Sequence, residues 1–346
     1  MPAEAFAYES ALTYQHVHGR CLEGNVLGDS PDRHVIVFLP PSYFNSPEQR
    51  YPVVYLLHGY NGTSSSWTHG SYQGFSIQPA MEALIAARSV REMIVVMPDA
   101  RNSYGGSYYA NSPVTGNWED FIADELVRYI DSNYRTLPQA ASRGLGGQSM
   151  GGYGALYIGI KRPDVFGVVY GTSAACLDFV ADLADGEEWR TTIQVARREE
   201  LGLLPQSGRR WKGNYPPALI GWLAAVSPNQ AKPPLFVDLP FELVNGQVRS
   251  VESVIERCLA HCPVAMVERY RSNLLSLRGL RFAVGAHDHL RHIPEGNRLF
   301  SKALTAHGVP HVFEDLDTDH ASSVREWMET RVLPNFSEKL AVRMSR

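Results

Sequence analysis

Several things are scarce in this chain of 346 residues. It has four cysteines, too few to frame a chain of this length with disulfides. Cys258 and Cys262 lie in a stretch with helical character, and no further ligands stand at a spacing that would complete a zinc site. They read as reduced, apolar-like side chains. Charge of one sign is also missing: 32 basic residues face 36 acidic ones, for a net charge of −4. That balance excludes the basic footprint of a nucleic-acid binder or of a protein drawn to anionic membranes. No apolar run approaches the roughly 20 residues of a membrane span. The first fourteen residues carry Glu4 and Glu9 and lack a basic start followed by an apolar core, unlike a secretory signal. The expectation is therefore a cytoplasmic protein, or a secreted one if a leader has been removed. There is no internal repeat and no low-complexity tract.

What is present is an alternation of strand-like and helix-like segments, the mark of an α/β fold with helices on both faces of a mostly parallel sheet. Strands are expected at residues 33–39, 53–57, 93–97, 143–148 and 165–170. Helices are expected at 77–88, 118–134 and 150–161. The runs VVYLL and MIVVM are wholly apolar, as strands buried on both faces should be. The rhythm breaks between residues 176 and 276, where helical fragments at 189–201 and 251–259 are separated by Pro-Pro pairs and polar stretches. This length is too great for a plain loop. It reads as a cap-like insertion, with residues 1–175 and 277–346 forming the core domain. Alternation resumes with strands at 280–284 and 311–314 and helices at 295–307 and 322–336.

Between the strand ending at residue 148 and the helix beginning at 150 stands Gly147-Gln148-Ser149-Met150-Gly151. G-x-S-x-G in a strand–turn–helix setting is a nucleophile elbow, which exposes a serine oxygen at the top of a sheet. A serine hydroxyl is a poor nucleophile until a base takes its proton, and an acid must hold that base in the right tautomer. In α/β-hydrolases the partners follow in the order serine, acid, histidine. Asp288 follows the strand at 280–284 and His320 follows the last strand, so both fall at the sheet edge of Ser149. Asp238, Asp315 and Asp317 are competing acids. His307 sits in a helix and His311 begins a strand, so both are poorly placed. An oxyanion hole needs two backbone donors. Met150, after the serine, supplies one, and Tyr60, in the His58-Gly59-Tyr60 loop after an early strand, is the first choice for the other. His58 reads as a brace for that loop. His287, His289 and His292 crowd Asp288 without a helical i,i+4 pair, and read as histidines of a polar loop rather than metal ligands.

Taken together these pieces resemble the esterase D-like branch of the α/β-hydrolases, which holds feruloyl and acetylxylan esterases, S-formylglutathione hydrolases and bacterial mycolyltransferases. The matching stretches are Leu56-Leu57-His58-Gly59 with Trp67, Met97-Pro98-Asp99, Trp118 to Ile122 with Glu125-Leu126, the elbow, Gly285 to Asp288, and Asp319-His320 before a final helix. The resemblance implies Ser149 as nucleophile, Asp288 as acid, His320 as base, and Tyr60 and Met150 as the oxyanion hole. After the His-Gly pair this chain has Tyr60-Asn61-Gly62, where S-formylglutathione hydrolases carry leucine-threonine-cysteine. The likeness to feruloyl esterases is closer in length and loop character.

The expected activity is carboxylic-ester hydrolysis through an acyl-enzyme, on a small-molecule or carbohydrate-linked ester, aryl, feruloyl-type or acetylated, with no cofactor and no metal needed. The alternatives are acyl transfer by the same three residues, and a binding protein on a retired hydrolase fold. Aromatic residues crowd the loops near the site and recur in the insertion as Trp189, Trp211, Tyr215 and Trp222. Asn102, Tyr104, Tyr108, Tyr109 and Trp118 are the expected substrate contacts, through stacking and hydrogen bonds. Arg209-Arg210 reads as solvated surface.

Overall fold

The inner strands at residues 53–57, 94–98 and 168–172 form where apolar residues cluster, and each is buried on both faces. The structure, a computed structural model, describes residues 10–200 and 215–343. Eight strands make the main sheet: β1 (Ala11–His18), β2 (Asp32–Leu39), β3 (Val53–Leu57), β4 (Ile94–Pro98), β5 (Arg143–Gln148), β6 (Val168–Thr172), β7 (Gly279–Gly285) and β8 (Val312–Leu316). Their order across the sheet is β1-β2-β4-β3-β5-β6-β7-β8. β2 pairs antiparallel with β1 and β4, and every other pairing is parallel. The carboxyl ends of β3 to β8 therefore share one edge.

Alternation along each strand divides the interior. Val53, Tyr55 and Leu57 of β3 enter one buried cluster, and Val54 and Leu56 enter the other. The first face is covered by α2 (Trp118–Asp120), α3 (Val127–Asn133), α4 (Met150–Lys161) and α10 (His292–Ala306). The second is covered by α1 (Ile77–Ala86), α11 (Val324–Trp327) and α12 (Leu333–Lys339). A fully buried leucine such as Leu56 contributes about 1.5–3 kcal/mol. β5 is glycine-rich for a steric reason: a Cβ on Gly144 would stand 2.5 Å from the Phe336 ring. The aromatic of α12 occupies the space those side chains leave.

The expected elements stand with adjustments. β1 was not expected. The helix expected at 118–134 is α2 and α3 joined by a π-turn over Phe121–Leu126. The one expected at 322–336 is α11 and α12 with a π-turn at Met328–Val332 between them. Pro334 has no N–H to donate back into that turn, which favours the wider winding just before it. The strand expected at 165–170 begins at Val168, because Gly144 of β5 pairs with Val168 and fixes the register.

Between β6 and β7 the chain forms α5 (Gly186–Glu200), α6 (Tyr215–Val226), a hairpin of Phe241–Val244 with Gln247–Ser250, α7 (Glu252–Ala260), α8 (Pro263–Arg269) and α9 (Arg271–Ser276). The hairpin turns at Asn245-Gly246, both at positive φ, as a tight two-residue turn requires. Trp189, Ile193, Trp222 and Val254 of this segment lie in the same buried cluster as Tyr55 and Leu57 of the sheet. All four cysteines are free thiols. Burial raises the pKa of each.

Candidate active site

Ser149 stands between β5 and α4 with φ 58° and ψ −116°, in the left-handed region that side chains avoid. Close packing holds it there. A Cβ on Gly147 would lie 2.3 Å from the Gly151 carbonyl oxygen, and one on Gly151 would lie 2.0 Å from the Leu57 carbonyl oxygen. Only glycine fits on either side of the serine, which is the physical content of the G-x-S-x-G pattern. The Ser149 N–H donates to the Thr172 carbonyl at 2.9 Å, and its own carbonyl accepts from Tyr153 and Ala175. Strand β6 and helix α4 thus fix the turn from both sides.

The Ser149 hydroxyl lies 3.0 Å from His320 Nε2, and His320 Nδ1 lies 2.5 Å from Asp288 Oδ2. The other carboxylate oxygen of Asp288 accepts from the Leu290 N–H at 2.9 Å. An ionised carboxylate only accepts, so Nδ1 carries the ring proton and leaves Nε2 to accept from the serine. The Asp288 side chain is fully buried, while 18% of the His320 side chain is exposed. Asp238, Asp315 and Asp317 are engaged elsewhere, with Lys232 and Arg257, with Arg298, and with His287.

The acid and base loops leave β7 and β8 side by side. Ala286 N–H donates to Leu316 O, and His287 N–H to Thr318 O. A Cβ on Gly285 would be 2.2 Å from the Asp319 carbonyl, so glycine lets the two loops touch. Asp319 caps the base loop by accepting the N–H groups of Ser322 and Ala321, which hold its carboxyl down at about 2. His292 meets Asp182, and His289 stands edge-on to His320 with ring centres 6.0 Å apart.

The loop after β3 runs beside the serine: a Cβ on Gly59 would be 3.4 Å from Ser149 Cβ. His58 braces it from within. Its Nε2 accepts from Ala100 N–H, so Nδ1 carries the proton and donates to Gly59 O, each at 2.8 Å. Complete burial pushes its pKa down, and the ring is neutral. Tyr72 hydroxyl accepts the Gly59 N–H, Asn61 N–H donates to Gly105 O, and Tyr60 hydroxyl donates to Tyr104 O. Tyr60 N–H has no acceptor among the described residues. Met150 opens α4, where the first amides have no intrahelical acceptor.

The expected substrate contacts need correction. Trp118 is buried beneath the Arg33 guanidinium, its indole N–H donating to Thr115 O. Tyr109 is fully buried and donates to His58 O. Tyr108 is buried, with its hydroxyl on Ala218 O. Both tyrosines sit at positive φ, in a turn whose side chains enter the protein. Asn102 is buried and uses Oδ1 to accept the N–H groups of Tyr104 and Gly106, closing the loop upon itself. These four side chains pack into the protein rather than standing open at its surface. Tyr104 is half-buried, and its hydroxyl donates to Leu235 O at 2.8 Å. Trp189 and Trp222 are interior. Trp211 and the Arg209-Arg210 pair lie outside the described residues, as does the side chain of Tyr215.

Sequence reasoning passed over Gln148. It is buried, and its side-chain amide donates to the His320 carbonyl at 3.2 Å. Its amide oxygen lies against Gly59, where a Cβ would come within 2.7 Å of it.

The sheet order, the strand–turn–helix at Ser149 and the hydrogen-bonded serine, histidine and aspartate at one sheet edge define an α/β-hydrolase. The family model described as "Putative esterase" matches residues 29–211, and the chain belongs to that esterase family. An endo-1,4-beta-xylanase/feruloyl esterase of Xylanibacter ruminicola is 32% identical over 139 residues, 38% of this chain and 18% of that protein. Esterase Rv1288 of Mycobacterium tuberculosis is 35% identical over 132 residues, 37% of this chain and 26% of that protein. The matches thus span about a fifth to a quarter of those relatives' length. Among solved structures, a ferulic acid esterase superposes with a TM-score of 0.65 at 24% identity, covering 96% of this chain and all of that one. S-formylglutathione hydrolase FrmB from Staphylococcus aureus gives 0.59 at 19% identity, covering 95% and 99%. Among the described residues no helix is long and apolar enough to cross a membrane.

Proposed function

We propose that the chain hydrolyses carboxylic esters through an acyl-enzyme on Ser149. The observation that carries this reading is the chain of hydrogen bonds from Asp288 through His320 to Ser149. His320 takes the serine proton at Nε2 as the oxygen attacks the ester carbonyl. Asp288 steadies the imidazolium that forms, and His320 then gives the proton to the leaving alcohol. The N–H groups of Tyr60 and Met150 receive the negative charge on the former carbonyl oxygen. Water, deprotonated by His320, repeats the attack and frees the acid.

Aryl esters of the feruloyl type and acetylated sugars are the substrates proposed. The support is the matching feruloyl esterase of Xylanibacter ruminicola and the fold shared with a ferulic acid esterase. Residues 176–276 are proposed as a cap bearing on one wall of the site. In support, Tyr104 bridges Tyr60 on one side and the Pro234-Leu235 carbonyls on the other.

The test is Ser149→Ala assayed with p-nitrophenyl acetate and with a methyl ferulate series. Turnover is expected to fall about 10⁵- to 10⁶-fold with the fold retained. A folded Ser149→Ala protein with unchanged turnover overturns the assignment. A flat response across acyl groups removes the aryl preference alone.

A further inference from the structure

We propose that Gln148 is a positioning residue that keeps the His320 imidazole neutral and aimed at Ser149. This rests on the reading of Ser149 and His320 as nucleophile and base. Gln148 is the last residue of β5, and it is buried. Its Nε2 stands 3.2 Å from the His320 carbonyl oxygen and 3.4 Å from His320 Nε2. A carbonyl oxygen can only accept, so the NH₂ end of the amide must face it. That choice puts the second N–H of the same group toward the ring nitrogen that serves as base. Its other end, Oε1, lies against Gly59, where any side chain would collide with it. The amide therefore lies between the loop beside Ser149 and the base itself, and the His320 carbonyl sets which end faces the ring.

The chemical consequence has a sign. A donor facing Nε2 stabilises the lone pair of the neutral ring and opposes the N–H that imidazolium carries there. Among the described residues, the other charged or titratable groups around the ring are Asp288 at Nδ1, His289 edge-on, and the neighbouring, exposed Asp319. Asp288 favours imidazolium, which catalysis needs once the proton has moved. Gln148 favours the neutral ring, which catalysis needs before it moves. The two residues bias opposite ends of the same proton transfer.

The test uses two substitutions of similar shape. Gln148→Met fills the space without a donor, and Gln148→Glu turns acceptor oxygens toward both His320 groups. The acid limb of the kcat/KM profile is expected to rise by about 0.5–1 pH unit in Gln148→Met and by about 1–2 units in Gln148→Glu. kcat should drop about tenfold with little change in KM, because the loss is of alignment and not of substrate binding. The pH dependence of fluorophosphonate labelling at Ser149 reads the same limb without turnover. A residue that only fills space predicts no movement, so a wild-type limb in folded Gln148→Met overturns the proposal, even if Gln148→Glu does not fold. If the wild-type protein takes no label at Ser149, the nucleophile assignment falls and this proposal with it. If Ser149 labels normally and the limb does not move, only the role of Gln148 falls.

Discussion

The sheet edge that carries Ser149, Asp288 and His320 and the described residues of the segment from 176 to 276 are both well packed, but by different means. At the sheet edge, position is set by backbone meeting backbone. Gly147, Gly151 and Gly285 each lie where a single added carbon would meet a carbonyl at 2.3 Å or less. In the segment, position is set by large side chains: Trp189 and Trp222 are wholly buried, and Phe179 stacks on both Trp222 and Phe241. Contacts of the first kind tolerate no substitution. Contacts of the second kind depend on volume and apolarity, which many residues supply.

That contrast can be broken experimentally. The largest effect belongs to Trp222→Ala, which should cost about 3–5 kcal/mol in urea unfolding. Where the variant is still folded, it should keep hydrolysis of p-nitrophenyl acetate. Loss of activity without loss of stability would mean that the segment shapes the site directly. Gly285→Ala should do the reverse. By prising the acid loop from the base loop it should lower kcat about 100-fold, with a smaller change in unfolding free energy, since displacements of about 1 Å suffice for that loss. A variant with normal kcat would show that the two loops accommodate the methyl group. The smallest effect sharpens the comparison within the sheet edge. Burial holds His58 neutral, with its pKa below the usual 6.5, so the unfolded chain binds a proton there that the folded chain does not. That stability is fully present above pH 6.5 and is lost as pH falls toward the folded value, at up to about 1.4 kcal/mol per pH unit. Unfolding curves for wild type and His58→Asn should converge as pH drops. Parallel curves would remove His58 from the account.

The same contrast explains what was legible in the sequence. The elbow was readable because backbone crowding leaves glycines at fixed offsets. Asp288 was readable because it follows a strand with an apolar run, and His320 because it comes after the last strand, in the expected order. β1 was missed because its inward positions include Thr13 and Gln15 beside Val17, leaving no apolar alternation to see. The hairpin at Asn245-Gly246 was missed although its turn dipeptide is a strong signal; the polar stretch around it hid the two short strands. The aromatic loop misled for a related reason. Tyr108, Tyr109 and Trp118 were expected to face a ligand, yet composition cannot say which way a ring turns, and positive φ at both tyrosines turns them inward. Gln148 left no composition signal because its role depends on Gly59, distant in sequence and adjacent in space.

The backbone at Ser149 is uphill, a conformation that costs about 1–3 kcal/mol for a residue with a side chain. Left to itself the peptide would relax and swing the hydroxyl away from His320. What prevents it is the surrounding crowd of Leu57, Gly151, Thr172 and Ala175. The placement of the hydroxyl and the firmness of the turn are thus drawn from the same few contacts. Any change that loosens this knot to ease motion also slackens the grip that keeps the Ser149 hydroxyl on His320. A more thermostable form must gain its stability elsewhere, in the outer helices or in the segment over the Tyr104 loop, where firmness can be added without moving the Ser149 oxygen.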